Sequence, residues 1–422
     1  MNVRRRSSAA ALAAIAVIGA AAAPAAAADP SSSPSAPSTK SSGSSGLYGT
    51  ADPQYDGVWR QSLALLAQDT AGVTPSPKAV DWLTGQQCAN GAFAPFRADT
   101  AEPCDAKTMV DTNSTAAAVQ ALGALGGRGD VVESALTWLK SVQNKDGGWG
   151  YTPGGPSDAN STAVVIGALT ATGSKPEQVE KDGKNPYDAL LTFALPCAGD
   201  KGAGAFAFQP DKDGKLLANA DATAAGVLGA LGKGLVTEAG AKSADATCTD
   251  AGEPTREQAA ANGAAHLADA VAEDGHLKSA LGGSADQPDY GNTADAVVAL
   301  AAQGGADRAA GPLAWLEKNA AKWAEESGPA AYAQLILAAH ATGTDPRDFG
   351  GTDLVAALNA TGPSPQGGKV TDSATASDAD DAKENDEKDD SGFGVWWFVG
   401  VCLVFGIGIG FLLSGRNKKR QP

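Results

Sequence analysis

Two kinds of apolar pattern alternate along the middle of the chain. In 131–143, Val132, Ala135, Leu136, Leu139 and Val142 recur at helical spacing, while Glu133, Lys140 and Gln143 fall elsewhere. That spacing predicts a helix with one buried face. In 115–125 (TAAAVQALGAL) and 162–172 (TAVVIGALTAT), small and apolar residues run nearly all the way round. A helix without a polar face is enclosed on most sides. Enclosed segments are predicted at 56–68, 115–125, 162–172, 223–231, 293–303 and 330–342, and half-polar ones at 80–87, 131–143, 187–195, 257–272, 312–324 and 353–360. Most enclosed segments stop near a glycine (Gly126, Gly173, Gly232, Gly304, Gly343), which suits a left-handed helix stop. Strand signals are almost absent. Twelve alternating helices over 48–362 predict an all-α domain, an (α/α)6 toroid of six helix pairs. Alanine-rich helices would form the inner ring and half-polar helices the outer one. An open solenoid is the alternative.

Two stretches add a local repeat. WLTGQQCANGAF (82–93) and WLKSVQNKDGGWGY (138–151) both place a Gln five residues after a Trp, then a Gly and an aromatic at fixed spacing. Such recurrence marks a repeat architecture. The expected role is a clamp between repeats. Gln87 or Gln143 would satisfy backbone groups at a helix end, glycines would permit the turn, and Phe93 or Trp149 would fold into the groove. A later copy around Gly275 and Leu277 keeps the spacing but not the side chains.

The ends change the picture of where the domain works. Arg4, Arg5 and Arg6, an apolar run and Ala26–Ala28 predict a secretory signal peptide over 1–28. A Ser/Pro-rich linker follows at 29–47. Nine carboxylates and two lysines within 371–390 predict a disordered acidic stalk at 363–392. The uncharged run GVWWFVGVCLVFGIGIGFLL predicts a transmembrane helix at 393–414, with a basic cytoplasmic tail at 415–422. Gly406, Gly410 and Ser414 suit packing against another helix. The expected localisation is the cell membrane, single-pass, with the folded domain extracellular. A net charge of −16 excludes nucleic acid as a partner. Cys88, Cys104, Cys197 and Cys248 fall in the exported region, where disulfides persist. Of the three connectivities open to four cysteines, Cys88–Cys104 and Cys197–Cys248 are favoured, each closing a loop between neighbouring helices. No metal-ligand spacing is present, and no cofactor is expected.

The pattern Trp-Leu-x3-Gln-x3-Gly-x-Trp at 138–149 resembles the repeat of the terpenoid cyclase and protein prenyltransferase superfamily, which implies the same toroid. The resemblance covers 48–362. Its class II cyclases protonate an alkene with the central Asp of a DxDDTA motif. Here Asn113 and Asn160 stand at that place in two copies (111–116 and 158–163), and only 219–224 keeps an acid there, Asp221. Only 6% of the chain is aromatic, which is sparse for the walls that stabilise carbocations. The zinc ligands of prenyltransferases and the Cys-Gly-Glu-Gln segment of thioester proteins are missing. The resemblance therefore implies a non-catalytic exported member, distantly like cobalamin carriers.

The polar starts of the inner helices are the candidate ligand site. They are Asp111, Asn113 and Thr115; Asp158, Asn160 and Thr162; Asn219, Asp221 and Thr223; and Tyr290, Asn292, Thr293 and Asp295. Tyr151 and Tyr332 would add contacts. Facing one mouth, they would form a polar crown around a depression, although Asp, Asn, Ser and Thr are also the preferred helix caps. The expected function is a non-enzymatic, membrane-anchored binding protein that presents a small molecule, a corrinoid first, to a transporter. The alternatives are a protein-interaction scaffold and a terpenoid-cyclase-like or carbohydrate-active enzyme.

Overall fold

The computed structural model describes residues 45–198, 202–243, 247–250, 252, 254–280 and 287–367. The signal peptide, most of the linker, nearly all of the stalk, the apolar run 393–414 and the basic tail lie outside them. No helix among the described residues is long and apolar enough to cross a membrane.

These residues are predominantly helical. In chain order the helices are α1 (Gly57–Thr70), α2 (Pro77–Gly85), α3 (Thr112–Leu125), α4 (Gly129–Ser141), α5 (Ala159–Ala171), α6 (Pro186–Leu191), α7 (Ala220–Ala230), α8 (Arg256–Val271), α9 (Tyr290–Gly304), α10 (Ala306–Asn319), α11 (Ala321–Ser327), α12 (Pro329–Thr342) and α13 (Leu354–Ala360). An antiparallel hairpin, β1 (Ala207–Pro210) and β2 (Leu216–Ala218), leads into α7.

Helix α1 packs against α3, α3 against α5, α5 against α7, α7 against α9, α9 against α12, and α12 back against α1. The ring is closed, and its members are the six enclosed segments. In α5 every residue from Ala159 to Leu169 is buried. Small residues let these helices approach closely. A Cβ on Gly229 of α7 would come within 2.9 Å of the Ala163 methyl of α5. The half-polar helices lie outside: α2 on α1, α4 on α3, α6 and α8 flanking α7, α10 on α9, α13 on α12. Helix α4 buries Ala135, Trp138 and Leu139 on one side, as its spacing requires.

Three features depart from the sequence pattern. The segment expected as one helix at 312–324 is two, α10 and α11, joined at Ala320. The helix expected at 187–195 ends at Leu191. The β hairpin had no clear signal, since its strands are four and three residues long.

The last turns of α1 (Leu66), α3 (Ala124), α5 (Thr170) and α12 (His340), with Gly232 just after α7, line one cavity of about 410 Å³. These inner helices therefore run parallel, and their first turns share the opposite mouth.

The Gln-Gly-aromatic stretches join neighbouring pairs. Gln143 Nε2 donates to the carbonyls of Gly147 (2.8 Å) and Val179 (3.0 Å). Gln87 Nε2 donates to those of Gly91 (3.0 Å) and Val131 (2.9 Å). In each case one bond closes the loop and the other reaches the next repeat. Gly91 and Gly147 have φ of +93° and +90°. A Cβ there would lie 2.3 Å from the Ser134 carbonyl and 2.2 Å from that of Asn185, so no side chain fits at either place. Trp149 is fully buried, and its Nε1 donates to the Leu139 carbonyl at 2.7 Å. The disulfides are Cys88–Cys104 and Cys197–Cys248.

Candidate functional site

The first turns of α3, α5, α7 and α9 are built alike. Asp111, Asp158, Asn219 and Asp289 cap them, accepting from the backbone N–H of Ser114 (2.6 Å), Ser161 (2.7 Å), Ala222 (2.8 Å) and Asn292 (3.1 Å). Four residues on, Thr115, Thr162, Thr223 and Thr293 accept through Oγ1 from the N–H of Phe93 (2.9 Å), Trp149 (3.1 Å), Phe206 (3.0 Å) and Leu277 (3.0 Å). The carbonyls of those four residues accept in turn from the N–H groups of the four caps. Each repeat thus locks its clamp onto its own inner helix. Asp111, Asp158 and Asn219 spend one oxygen on capping, and the four threonines are buried in this joint. Asn292 donates its amide to Asp289 at 2.7 Å.

Two residues after each cap stand Asn113, Asn160, Asp221 and, in α9, Gly291. Asn160 Nδ2 donates to Asp221 Oδ2 at 2.5 Å across the α5–α7 contact. In α9 the acid is displaced by one helical turn, from Gly291 to Asp295. Gln334 of α12 approaches both Asp295 oxygens, at 3.4 and 3.5 Å. A Cβ on Gly291 would sit 3.6 Å from the Gln334 amide and 3.8 Å from the Trp323 indole. The Gln334 amide and the Trp323 indole thus both border Gly291 at the start of α9, and the indole Nε1 is buried without a partner. Tyr290 stacks on Trp323, with centroids 5.4 Å apart, and tilts against Trp315 at 5.0 Å. Tyr151 gives its carbonyl to the N–H of Thr112. Tyr332 is half-buried in the first turn of α12.

The carboxyls of this crown hold their protons unusually well. Burial pushes Asp111 and Asp158 up to about 6, opposed by the Ser114 and Ser161 bonds. Burial also takes Asp221 to about 6, with the Asn160 bond opposing and the Asp289 charge adding. Asp289 is raised by burial as well. Asp295 goes furthest, to about 8, through burial first and then the charge of Asp221. Asp221 and Asp295 nevertheless keep some accessible surface. A carboxyl that keeps its proton under the charge of a second one can serve as a proton donor. Burial also raises Tyr151 and Tyr332. Among the described residues, no group of acids, histidines and cysteines is placed to hold a metal ion.

Asp289, Gln334 and Trp323 were not among the sequence candidates. Asp289 had a signal: it precedes Thr293 by four residues, as Asp111 precedes Thr115. Gln334 and Trp323 had none, because only ring closure brings α11 and α12 to α9.

No protein-family model matches the chain. A stretch of 86 residues, 20% of this chain, is 48% identical to drimenyl diphosphate synthase of Streptantibioticus cattleyicolor. The match takes in 14% of that enzyme's length. Similar solved structures include a protein from Actinoplanes, 16% identical with a TM-score of 0.46, over 71% of this chain and 95% of that one. Another is ent-copalyl diphosphate synthase from Streptomyces platensis, 15% identical with a TM-score of 0.45, over 68% and 50%. At these scores the structural likenesses carry no argument. The closed double ring, its repeat residues and the synthase match give the chain a terpenoid-cyclase-like fold. They also correct the functional expectation. The matched relative is a synthase, which overturns the reading of a non-enzymatic corrinoid carrier for a transporter.

Proposed function

We propose that this protein is a terpenoid-cyclase-like enzyme that starts its reaction by protonating a carbon–carbon double bond. Asp295 is the donor. Its O–H proton goes to one alkene carbon, leaving a carboxylate and a carbocation. The π electrons of a second double bond then form the ring bond, a proton lost from carbon to water restores the neutral product, and solvent returns a proton to the Asp295 carboxylate. Asp221, at the place the resemblance gives to the catalytic acid, is the partner whose charge keeps the proton on Asp295. Asn160 holds Asp221, and Gln334 orients Asp295. Trp323, stacked on Tyr290 through one face, offers its other face to the cation. The observation that carries the reading is the pair of inner-ring acids, Asp221 held by Asn160 across the α5–α7 contact and Asp295 facing Gln334, whose carboxyl burial and the Asp221 charge push up to about 8. The test is product analysis after incubation with polyprenyl hydrocarbons, alcohols and diphosphates. A cyclic isomer of one substrate, made by the wild type and not by Asp295→Asn, is the expected result. No conversion of any of them counts against the reading.

We also propose that the enzyme works outside the cytoplasm, held by the apolar run 393–414. The two disulfides support this, since such bonds persist in oxidising compartments. Protease added to intact cells should then digest the helical domain and spare the tail.

A further inference from the structure

We propose that the mouth of the ring that carries the acids rests on the membrane, and that Tyr55, Met109 and Leu217 are the side chains that enter it. The proposal rests on anchoring by 393–414 and on the cyclase reading, and adds the route by which an apolar isoprenoid arrives. Among the described residues three large apolar side chains are exposed, Met109 at 73%, Tyr55 at 60% and Leu217 at 54%. All three stand at one end of the ring. Tyr55 comes two residues before α1, Met109 three before α3 and Leu217 three before α7, and these helices start at the same mouth. Between Met109 and Leu217, the loop entering α5 exposes Pro153 and Pro156. Gln209 of β1 donates through Nε2 to the Pro156 carbonyl at 3.5 Å. The tips thus follow an arc over the starts of α1, α3, α5 and α7, which are neighbours in the ring.

Turns hold the tips out. An aspartate precedes each tip and binds its own backbone. Asp52 accepts from the N–H of Gln54 (3.0 Å), Asp105 from those of Lys107 (2.9 Å) and Thr108 (3.0 Å), and Asp211 from those of Asp213 (2.9 Å) and Lys215 (2.8 Å). Lys107 and Lys215 are exposed two residues before Met109 and Leu217. An apolar tip beside a lysine suits a lipid interface, where the ammonium reaches the head groups. A protein partner would need a contiguous apolar patch, whereas separate tips at one level fit a plane. Three such side chains bury less apolar surface than one acyl chain, which by itself holds a protein to a bilayer marginally and reversibly. The chain's own anchor supplies the rest. Gln366 bonds Thr74 just past α1, at the far end of the ring. Residues 367 and 393, where the apolar run begins, are 26 positions apart, a reach of at most about 90 Å. The 14 residues of α3 rise only about 21 Å. The acid-bearing mouth is therefore within reach of the bilayer, at an effective concentration in the roughly millimolar range. An isoprenoid then passes from lipid to the acids without crossing water.

The test puts an environment-sensitive fluorescent label on the full chain, reconstituted into phosphatidylcholine vesicles. Met109→Cys or Leu217→Cys carries the label in a Cys402→Ser background, with both disulfides kept oxidised. Glu238→Cys, exposed at the opposite mouth, is the control. Nitroxide-labelled lipid should quench the labels at 109 and 217 at least about threefold more than the label at 238. Tyr55→Ser/Leu217→Ser should cut the quenching at 109 about threefold, because the three tips act together. Equal quenching at both mouths, stronger quenching at 238, or quenching at 109 that this pair leaves unchanged overturns the proposal and leaves the anchor and the cyclase reading standing. So does a blue-shifted label at 109 or 217 that lipid does not quench, the sign of a second copy seated on this mouth. A chain that does not stay with the vesicles removes the anchoring and the docking with it.

Discussion

Replacing Asp295 by Asn should flatten the dependence of stability on pH between 6 and 8. In the folded ring Asp295 keeps its proton up to about pH 8, whereas the ordinary value is 3.8. Between those values the folded state binds one proton that the unfolded chain has lost. Stability then falls as pH rises, by about 1.4 kcal/mol per pH unit for that one proton. Allowing for partial ionisation near pH 8, the wild type should lose roughly 2 kcal/mol from pH 6 to pH 8 on this account alone. Asp111, Asp158 and Asp221 titrate near 6 and Asp289 is raised as well, but these groups are present in both proteins, so the difference between wild type and variant isolates Asp295. The assay is urea unfolding of both proteins at pH 6, 7 and 8, read by tryptophan fluorescence. The difference between their free energies should change steadily with pH. Parallel profiles would refute the claim that Asp295 is protonated inside the ring, whatever the absolute stability of the variant.

Other predictions follow from the same geometry. Turnover should fall as pH rises through about 8, because the acid form is the active one. Asp221→Asn removes the charge that holds the proton and should move that limb of the pH–rate profile to lower pH. Trp149→Ala empties a buried clamp and leaves the Leu139 carbonyl unpaired; thermal or urea unfolding should show a loss of about 3–5 kcal/mol. Removing Cys197–Cys248, which links residues 51 apart, should cost about 4 kcal/mol in the chain-entropy account, measured with the Cys197→Ser/Cys248→Ser pair against the oxidised wild type.

The ring was legible because its two helix kinds differ in pattern, one with a polar face and one without. Alanine-rich segments such as α5 have only one stable place, the inside. The break between α10 and α11 was hidden, since Ala320 interrupts no apolar spacing. The hairpin before α7 is too short for an alternating signal. The acid centre was half legible. Asp221 and Asp295 were read as candidates from their place at helix starts. Their chemistry was not, because it depends on which helices meet. The first two motif copies carry Asn113 and Asn160 where the cyclase motif has its acid, which in the sequence alone reads as a loss of catalysis. Ring closure shows Asn160 holding Asp221, and an acid one turn further along α9, where Gly291 leaves the usual place empty.

The central claim is that a carboxyl within the ring hands its proton to carbon. Running the reaction in deuterium oxide and locating the label by mass spectrometry and NMR tests it most directly. The account predicts one deuterium, bound to carbon at the protonated alkene position, in product from the wild type and no product from Asp295→Asn. Cyclic product without deuterium on carbon, or an Asp295→Asn variant that labels as the wild type does, would contradict it.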